Sequence, residues 1–243
     1  MDIEKSLLSL SIDRNRIKPY LQPIVNKERI IVGFEVLSRW EKSRNTVIVP
    51  SGFIDILKSD NDLLIRWGFS LVNQLIDFFS IHKRKDIDLH INIYSVTLSK
   101  ELIERLVLLN SYVNVVIEIL EDDLIIDEDY FMHNLNILRI NNIRIAMDDF
   151  GCGLNNTERL SNYQFDILKI DRKFIFNIDT DNVKLSLVKS INTMSCEVGL
   201  ITIAEGIESI KQFEVLKSIG IEFYQGFLFF KPMPLDDILN ISW

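Results

Sequence analysis

The stretch RIAMDDFGCG, from Arg144 to Gly153, places two adjacent carboxylates at the end of a short apolar run and directly before a turn that contains two glycines. An apolar run of this length, bounded by turn residues, is typical of a buried strand. Two like charges with no Lys or Arg between them are costly beside buried residues unless cations compensate them. The stretch therefore predicts a buried strand that carries Asp148 and Asp149 to a functional site.

Strand-like and helix-like segments alternate on both sides of this stretch. The other strand-like runs are LQPIV, IIVGFEVLSRW, DLHINIYS, VNVVIEIL, DILKID, LITIAEG and FYQGFLF. The first two are close enough to form a hairpin around NKER, and most later runs are separated by segments with the apolar spacing of helices. Continuously apolar strands separated by helices indicate a parallel sheet, so we predict an α/β fold of the (β/α)8 TIM-barrel type. An open doubly wound sheet is the alternative, but its Gly-rich turn after the first strand is missing.

Several element ends can be predicted from single residues. Ser99 and Ser209 have the residue type that begins helices, whereas Gly199 and Gly220 have the type that ends them. We expect residues 1–16 to form an N-terminal lead segment and residues 17–243 to form one barrel domain.

Composition and charge exclude several classes of protein. Of the 243 residues 47% are hydrophobic, which is enough for one large core. The net charge of -8 argues against a nucleic-acid polymer as partner, because such binding relies on Lys and Arg. We expect a cytoplasmic protein without membrane contact, since no apolar run approaches the roughly 18 residues of a membrane helix and the N-terminus lacks a signal-peptide pattern. Cys152 and Cys196 have neither CxxC spacing nor clustered histidines, so reduced thiols are expected.

Polar side chains gather at the ends of the predicted strands, where the working site of a barrel lies. These candidates are Glu35, Asn92, Glu118, Asp148, Asp149, Lys169, Asp171, Glu205, Glu208 and Gln225. Taken singly, each carboxylate is more simply explained as a helix cap or a solvated charge. Together, carboxylate and amide oxygens suit hard cations such as Mg²⁺ or Mn²⁺, and two ions would explain the adjacent aspartates. The set therefore predicts a two-metal site.

Three features near these strand ends have competing interpretations. Strand alternation places Lys169 and Asp171 on one face, side by side at the mouth, where we expect a functional pair and a structural ion pair is the alternative. His90 shares a face with Asn92, two positions deeper, and we expect a hydrogen-bonded core residue rather than a ligand or base. Cys152 has no histidine nearby in sequence to activate it, so we expect a small turn residue rather than a nucleophile.

Seven motifs in a fixed order, FEVLSRW, HINIYS, IEILE, MDDFGCG, LKID, AEGIES and YQGFLF, resemble those of the EAL-domain cyclic di-GMP phosphodiesterases. The resemblance runs from about Leu21 to Pro234. It implies the EAL type of TIM barrel, here as a stand-alone domain, and hydrolysis of cyclic di-GMP to linear pGpG with two Mg²⁺ or Mn²⁺ ions. It also implies an effect on biofilm and motility through the nucleotide pool, and it leaves open whether the protein forms a homodimer and whether a regulatory protein partner exists.

The resemblance assigns roles to individual residues. The residues that match ligands of one metal are Glu35, Asn92, Glu118 and Asp148, and those around the second metal are Asp148, Asp149 and Glu205. Lys169 matches the lysine that contacts the attacking water, and Glu121 matches a glutamate that steadies the loop after the paired aspartates. The expected catalytic residues are thus Lys169, Glu35 and Glu121. The positions that match substrate-facing or supporting residues are Gln22, Arg39, Asp171, Glu208 and Gln225.

The chain departs from the family pattern at three places. Val36 replaces the signature alanine, a modest change from which we expect little effect. GCGLNN, from Gly151 to Asn156, replaces the usual GTGYSS, which bears on loop order and dimer coupling. Leu57 and Lys58 replace an Ala-Glu pair, which bears on substrate affinity. A catalytically weak or inactive barrel that acts as a cyclic di-GMP receptor or a protein-binding regulator is therefore the alternative function, although every expected metal ligand is present.

Overall fold

The computed structural model describes residues 3–43, 46–120, 125–151 and 156–241, without the side chains of residues 156–158. Ten strands in these ranges form one sheet. They are β1 (Ile17–Asn26), β2 (Ile31–Ser43), β3 (Thr46–Ile48), β4 (Arg84–Ile93), β5 (Val113–Ile119), β6 (Arg144–Phe150), β7 (Ile167–Ile170), β8 (Ile201–Ala204), β9 (Phe223–Tyr224) and β10 (Met233–Pro234). Because β1 pairs with both β2 and β9, the sheet closes in the order β1, β9, β8, β7, β6, β5, β4, β2. The closed barrel confirms the predicted fold class.

The first barrel strand runs against its neighbours. β1 is antiparallel to β2 and to β9, whereas the successive pairs from β2 and β4 to β8 and β9 are parallel. The few residues between β1 and β2 are too short for a crossover, so the two strands form the predicted hairpin. The Asn26 Oδ1 atom closes the turn by accepting from the backbone N–H groups of Glu28 and Ile30. This hairpin places Gln22 directly opposite Glu35.

Helices cover the outside of the barrel. They are α1 (Ile3–Asp13), α2 (Ile54–Lys58), α3 (Asn61–Ile81), α4 (Lys100–Asn110), α5 (Glu128–Ile140), α6 (Asn156–Asn162), α7 (Arg172–Ile175), α8 (Asn182–Glu197) and α9 (Ile210–Ser218), with 3₁₀ turns at Pro50–Gly52, Ser95–Thr97 and Leu235–Asn240. The predicted helix starts are confirmed, because Ser99 caps α4 and Ser209 forms a capping box with Gln212 on α9. Gly199 and Gly220 have positive φ angles just after α8 and α9, as expected for helix ends. None of the described helices combines the length and apolar composition needed to cross a membrane.

The N-terminal helix α1 is an element that the apolar pattern did not predict. Its Leu8 and Ile12 side chains are buried. Ion pairs tie it to the region of α3, because Asp13 pairs with Arg66 and Lys5 Nζ lies 2.8 Å from Asp60. Residues assigned to a lead segment thus pack on the barrel, and the boundary at residue 17 stays a prediction.

Two layers of side chains fill the barrel interior. The lower layer is a separate apolar cluster formed by Ile24, Val116, Ala146, Ile167 and Ile203. Side chains two positions apart on a strand share a face. The layer above this cluster therefore contains the polar residues that lie two positions from its members, which are Gln22, Glu118, Asp148, Lys169 and Glu205. Because the apolar layer excludes water from below, charges at the mouth are solvated from one side only.

Candidate functional site

Lys169 lies at the centre of an acidic cluster at the C-terminal mouth of the barrel. Its Nζ atom is 2.7 Å from Glu118 Oε1, 2.7 Å from Glu205 Oε1, 2.9 Å from Asp148 Oδ1 and 3.6 Å from Glu35 Oε1. The Lys169 and Glu118 side chains are fully buried. These residues lie on β2, β5, β6 and β7 and just after β8, so only the closed barrel brings them together. One ammonium group therefore faces four carboxylates.

Burial and charge oppose each other within this cluster. Burial lowers the pKa of Lys169, but the surrounding carboxylates outweigh that effect and hold the pKa well above its usual value. Burial also raises the pKa of Glu118 and of Glu205 well above the ordinary carboxyl range, against the attraction of Lys169. One positive charge cannot balance four carboxylates, so further cations would stabilise the cluster.

A row of amide side chains holds Glu35 in place beside this cluster. Asn92 Nδ2 donates to Glu35 Oε1 at 3.2 Å, and Gln225 Nε2 donates to Glu35 Oε2 at 2.5 Å. Gln225 Nε2 also lies 3.3 Å from Gln22 Oε1, and Gln22 Nε2 donates to the Phe230 carbonyl at 3.0 Å. Both oxygens of Glu35 thus have a donor, which fixes the plane of its carboxylate.

Asp148 and Asp149 both reach the mouth because β6 is irregular at this point. The pairing with β7 shifts between Met147 and Phe150, and Asp149 has a φ of +54°. A regular strand would turn one of the two side chains away from the barrel axis. Gly151 has a φ of +99°, in line with the predicted turn, whereas Gly153 lies outside the described residues.

Asp149 is the carboxyl group in the site that titrates near neutral pH. Burial, the neighbouring charge of Asp148 and a hydrogen bond with Asp171 raise its pKa to about 7. Asp171 also accepts from the Lys173 backbone N–H at 2.6 Å and thereby caps α7. The predicted contact between Lys169 and Asp171 does not form, because β7 ends at Ile170 and strand alternation no longer applies to Asp171.

The carboxylates form two groups that share Asp148. Ligand atoms of Glu35, Glu118 and Asp148 lie within 4.8 Å of one another, and so do those of Asp148, Asp149 and Glu205. Asn92 Oδ1 and Glu118 Oε2 are buried and have no hydrogen-bond partner among the described residues. Unpartnered buried oxygens in an all-oxygen donor set suit hard divalent cations. The residues present therefore fit a pair of such ions.

Two cavities open beside the acidic cluster. The first, of about 300 Å³, is lined mainly by polar side chains. Its lining includes Gln22, Glu35, Asp148, Asp149, Arg172, Glu205, Gly206, Glu208, Gln225 and Phe227. The second, of about 220 Å³, is mainly apolar and includes Leu37, Phe53, Trp67 and Tyr94 with Asn92 and Asp148 at the cluster. Asp148 and Leu37 border both cavities, so together they form one cleft across the barrel mouth.

Most of the residues selected from the sequence converge on this cleft, with two exceptions. Arg39 donates from Nη1 to the Ser38 carbonyl at 2.9 Å and stacks over the Tyr20 ring, away from the lining of either cavity. Glu121 lies outside the described residues, as does Cys152. The departures Leu57 and Lys58 lie near the apolar cavity, where Leu57 is buried and Lys58 Nζ is 5.1 Å from the centroid of the Tyr94 ring.

Sequence reasoning missed residues of the cavity lining and one contact of the site. Arg172 and Phe227 line the polar cavity. They could have been found from the sequence, because Arg172 directly follows Asp171 and Phe227 lies two residues after Gln225. His90, expected in the core, is indeed buried, but its Nδ1 atom is 2.9 Å from Glu118 Oε1. Burial and the charge of Lys169 lower the pKa of His90 to about 3, so the imidazole is neutral.

Comparisons with known proteins identify relatives of this chain. The chain is 28% identical over 247 residues to the probable cyclic di-GMP phosphodiesterase PdeG of Escherichia coli strain K12. The alignment covers 98% of this chain and 48% of PdeG. The chain thus spans about half the length of this curated relative. The structure of the EAL enzyme Bd1971 with cAMP and cyclic di-GMP bound is similar, with a TM-score of 0.86 and 27% identity over 98% of this chain and 67% of that chain.

A second solved structure and a family model complete the comparison. BlrP1 of Klebsiella pneumoniae, in a complex with manganese and cyclic di-GMP, has a TM-score of 0.72 and 25% identity over 90% of this chain and 57% of that chain. The family model described as EAL domain matches residues 6–232. The chain therefore belongs to the EAL domain family.

Proposed function

We propose that this protein is a metal-dependent phosphodiesterase that hydrolyses one phosphodiester bond of cyclic di-GMP to give linear pGpG. The observation that carries the proposal is the pair of carboxylate groups that share Asp148 around Lys169, at the floor of a cleft. A phosphodiester brings negative charge to a site that is already acidic, so its binding requires further cations. The names of the similar proteins support cyclic di-GMP as the substrate.

We assign the two cation positions to Mg²⁺ or Mn²⁺. The residues that would hold one ion are Glu35, Asn92, Glu118 and Asp148, and those that would hold the other are Asp148, Asp149 and Glu205. When bound, such ions withdraw charge from a phosphodiester and lower the pKa of water. The oxygen-only donor set supports hard cations, and the manganese complex of BlrP1 supports manganese as one of them.

The chain's own residues supply orientation and a fixed positive charge. Lys169 stays protonated and is held by three carboxylates at 2.7–2.9 Å, so its positive charge is fixed at the floor of the cleft, where it attracts a phosphoryl oxygen. Asn92 and Gln225 fix the plane of Glu35. Because these groups are placed before substrate arrives, little reorganisation accompanies the reaction.

The cleft offers contacts for the rest of a cyclic dinucleotide. Arg172 supplies donors beside the polar cavity, where a phosphate fits next to Gln22 and Gln225. The apolar cavity, with Trp67 and Tyr94, suits a planar base. The cellular result would be a smaller cytoplasmic pool of the nucleotide, with the effect on biofilm and motility that the family resemblance implies.

The test is conversion of cyclic di-GMP to pGpG by the purified protein, followed by chromatography. Mg²⁺ or Mn²⁺ should support product formation, whereas EDTA should prevent it. Glu35→Gln should lose nearly all turnover because it removes one charge from the first carboxylate group, and Glu28→Gln, at an exposed position of the hairpin turn, is the matched control. Nucleotide binding without product would instead support the receptor function, and the absence of both would reject the proposal. Light scattering on the same sample measures whether the protein forms a homodimer.

A further inference from the structure

We propose that His90 is a positioning residue that orients Glu118 by donating from Nδ1 to Oε1, so that Oε2 is presented to a divalent cation. The inference rests on the proposed metal site but not on the identity of the nucleotide. It gives a role in the metal site to a residue that looks, from sequence, like part of the core.

Strand register brings His90 to Glu118 from below. On β4, Asn92 lies opposite Glu118 of β5, and His90 lies opposite Val116, one layer deeper. The imidazole therefore reaches diagonally upward to Glu118, where Nδ1 is 2.9 Å from Oε1. Only 2% of the His90 side chain is exposed, so water does not compete for this contact.

The two oxygens of Glu118 have different surroundings. Oε1 receives both Lys169 Nζ at 2.7 Å and His90 Nδ1 at 2.9 Å. Oε2 is buried and has no hydrogen-bond partner within the described part of the chain. The protein thus saturates one oxygen and leaves the other, which belongs to the carboxylate group with Glu35 and Asp148, for a ligand.

His90 adds a second contact to Glu118 Oε1 beside that of Lys169. Hydrogen-bond partners of metal ligands commonly contribute about 10–100-fold to metal affinity. Lys169 alone leaves the Glu118 carboxylate free to rotate about its contact, whereas two donors at one oxygen fix its plane.

Metal affinity without nucleotide is the measurement that tests this role. We would titrate Mn²⁺ into each folded variant by calorimetry and count bound ions by electron paramagnetic resonance. His90→Leu removes the donor, whereas His90→Asn keeps an N–H donor at the same number of bonds from Cβ. His133→Asn, at an exposed position of α5, is the matched control.

The expected result is that His90→Leu weakens Mn²⁺ binding by about 10–100-fold, while His90→Asn and His133→Asn stay close to wild type. Unchanged Mn²⁺ affinity in His90→Leu would overturn the proposal. Equal losses of affinity in His90→Leu and His90→Asn would also overturn it, because they would indicate that packing matters rather than hydrogen bonding. If wild type binds Mn²⁺ but does not turn over cyclic di-GMP, the proposed function fails while this inference stands.

A second measurement does not depend on the folding of any variant. In ¹⁵N-labelled wild type with Mg²⁺, the chemical shifts of the His90 ring nitrogens report which of them carries hydrogen. We expect hydrogen on Nδ1, because a carboxylate can only accept. A bare Nδ1 with hydrogen on Nε2 would exclude the donation to Glu118 and would overturn the proposal.

Discussion

Replacing Lys169 by Met tests whether one buried ammonium group holds the acidic cluster together. Met keeps an unbranched stem but removes the charge from a position within 3 Å of three carboxylates. At an effective dielectric constant of about 20, each such pair attracts by about 6 kcal/mol. Proton uptake by the remaining carboxylates offsets much of this gross loss. We therefore expect the unfolding free energy of the metal-free protein to fall by about 3–5 kcal/mol, the usual cost of removing one partner from a buried ion pair.

Urea unfolding followed by circular dichroism measures this loss. In EDTA, the variant should unfold at lower urea, and its Tm should fall by roughly 6–20 °C for a chain of this length. Saturating Mn²⁺ should restore part of the stability, because bound cations take over the charge balance and bind only the folded state. The control Lys189→Met, at an exposed position of α8, should change the unfolding free energy by less than about 0.5 kcal/mol. Equal stability of Lys169→Met and wild type in EDTA would refute the reasoning.

Three further predictions follow from local features. The pKa of Asp149 is raised to about 7, so the folded carboxyl keeps a proton that the unfolded carboxyl releases near pH 4. The unfolding free energy of the metal-free protein should therefore fall from about pH 4 to about pH 7. Urea titrations across this range should show a flatter profile for Asp149→Asn than for wild type. Gly206→Ala should weaken nucleotide binding in calorimetry, because the new Cβ would lie 2.4 Å from Arg172 Cβ. The control Gly199→Ala, whose new Cβ would have nothing within 4 Å, should lose only about 1–2 kcal/mol of stability to backbone strain. Equal nucleotide affinity in the two variants would contradict this prediction. Ser209→Ala should cost about 1 kcal/mol in urea unfolding through the lost helix cap, and no change would show that the capping box is not stabilising.

The sequence by itself determined the class of fold and the chemistry of the site. Apolar runs alternating with helical patterns require a covered parallel sheet, and the short connection around NKER requires an antiparallel hairpin. Carboxylates and amides at strand ends determine that the mouth carries oxygen donors. These features depend only on local periodicity and residue type, so they can be predicted without knowing which distant segments are in contact.

The tertiary structure alone decided which of these groups meet. Period-two alternation indicates the face of a side chain but not the register between strands, so it did not pair Lys169 with Glu118 and Glu205, and it wrongly placed Asp171 beside Lys169. It also gave no sign that His90 reaches Glu118, because that contact is diagonal across two strands. Closure of the barrel fixes the relative height of every strand, and this height, set by backbone pairing, determines which charges share a buried site.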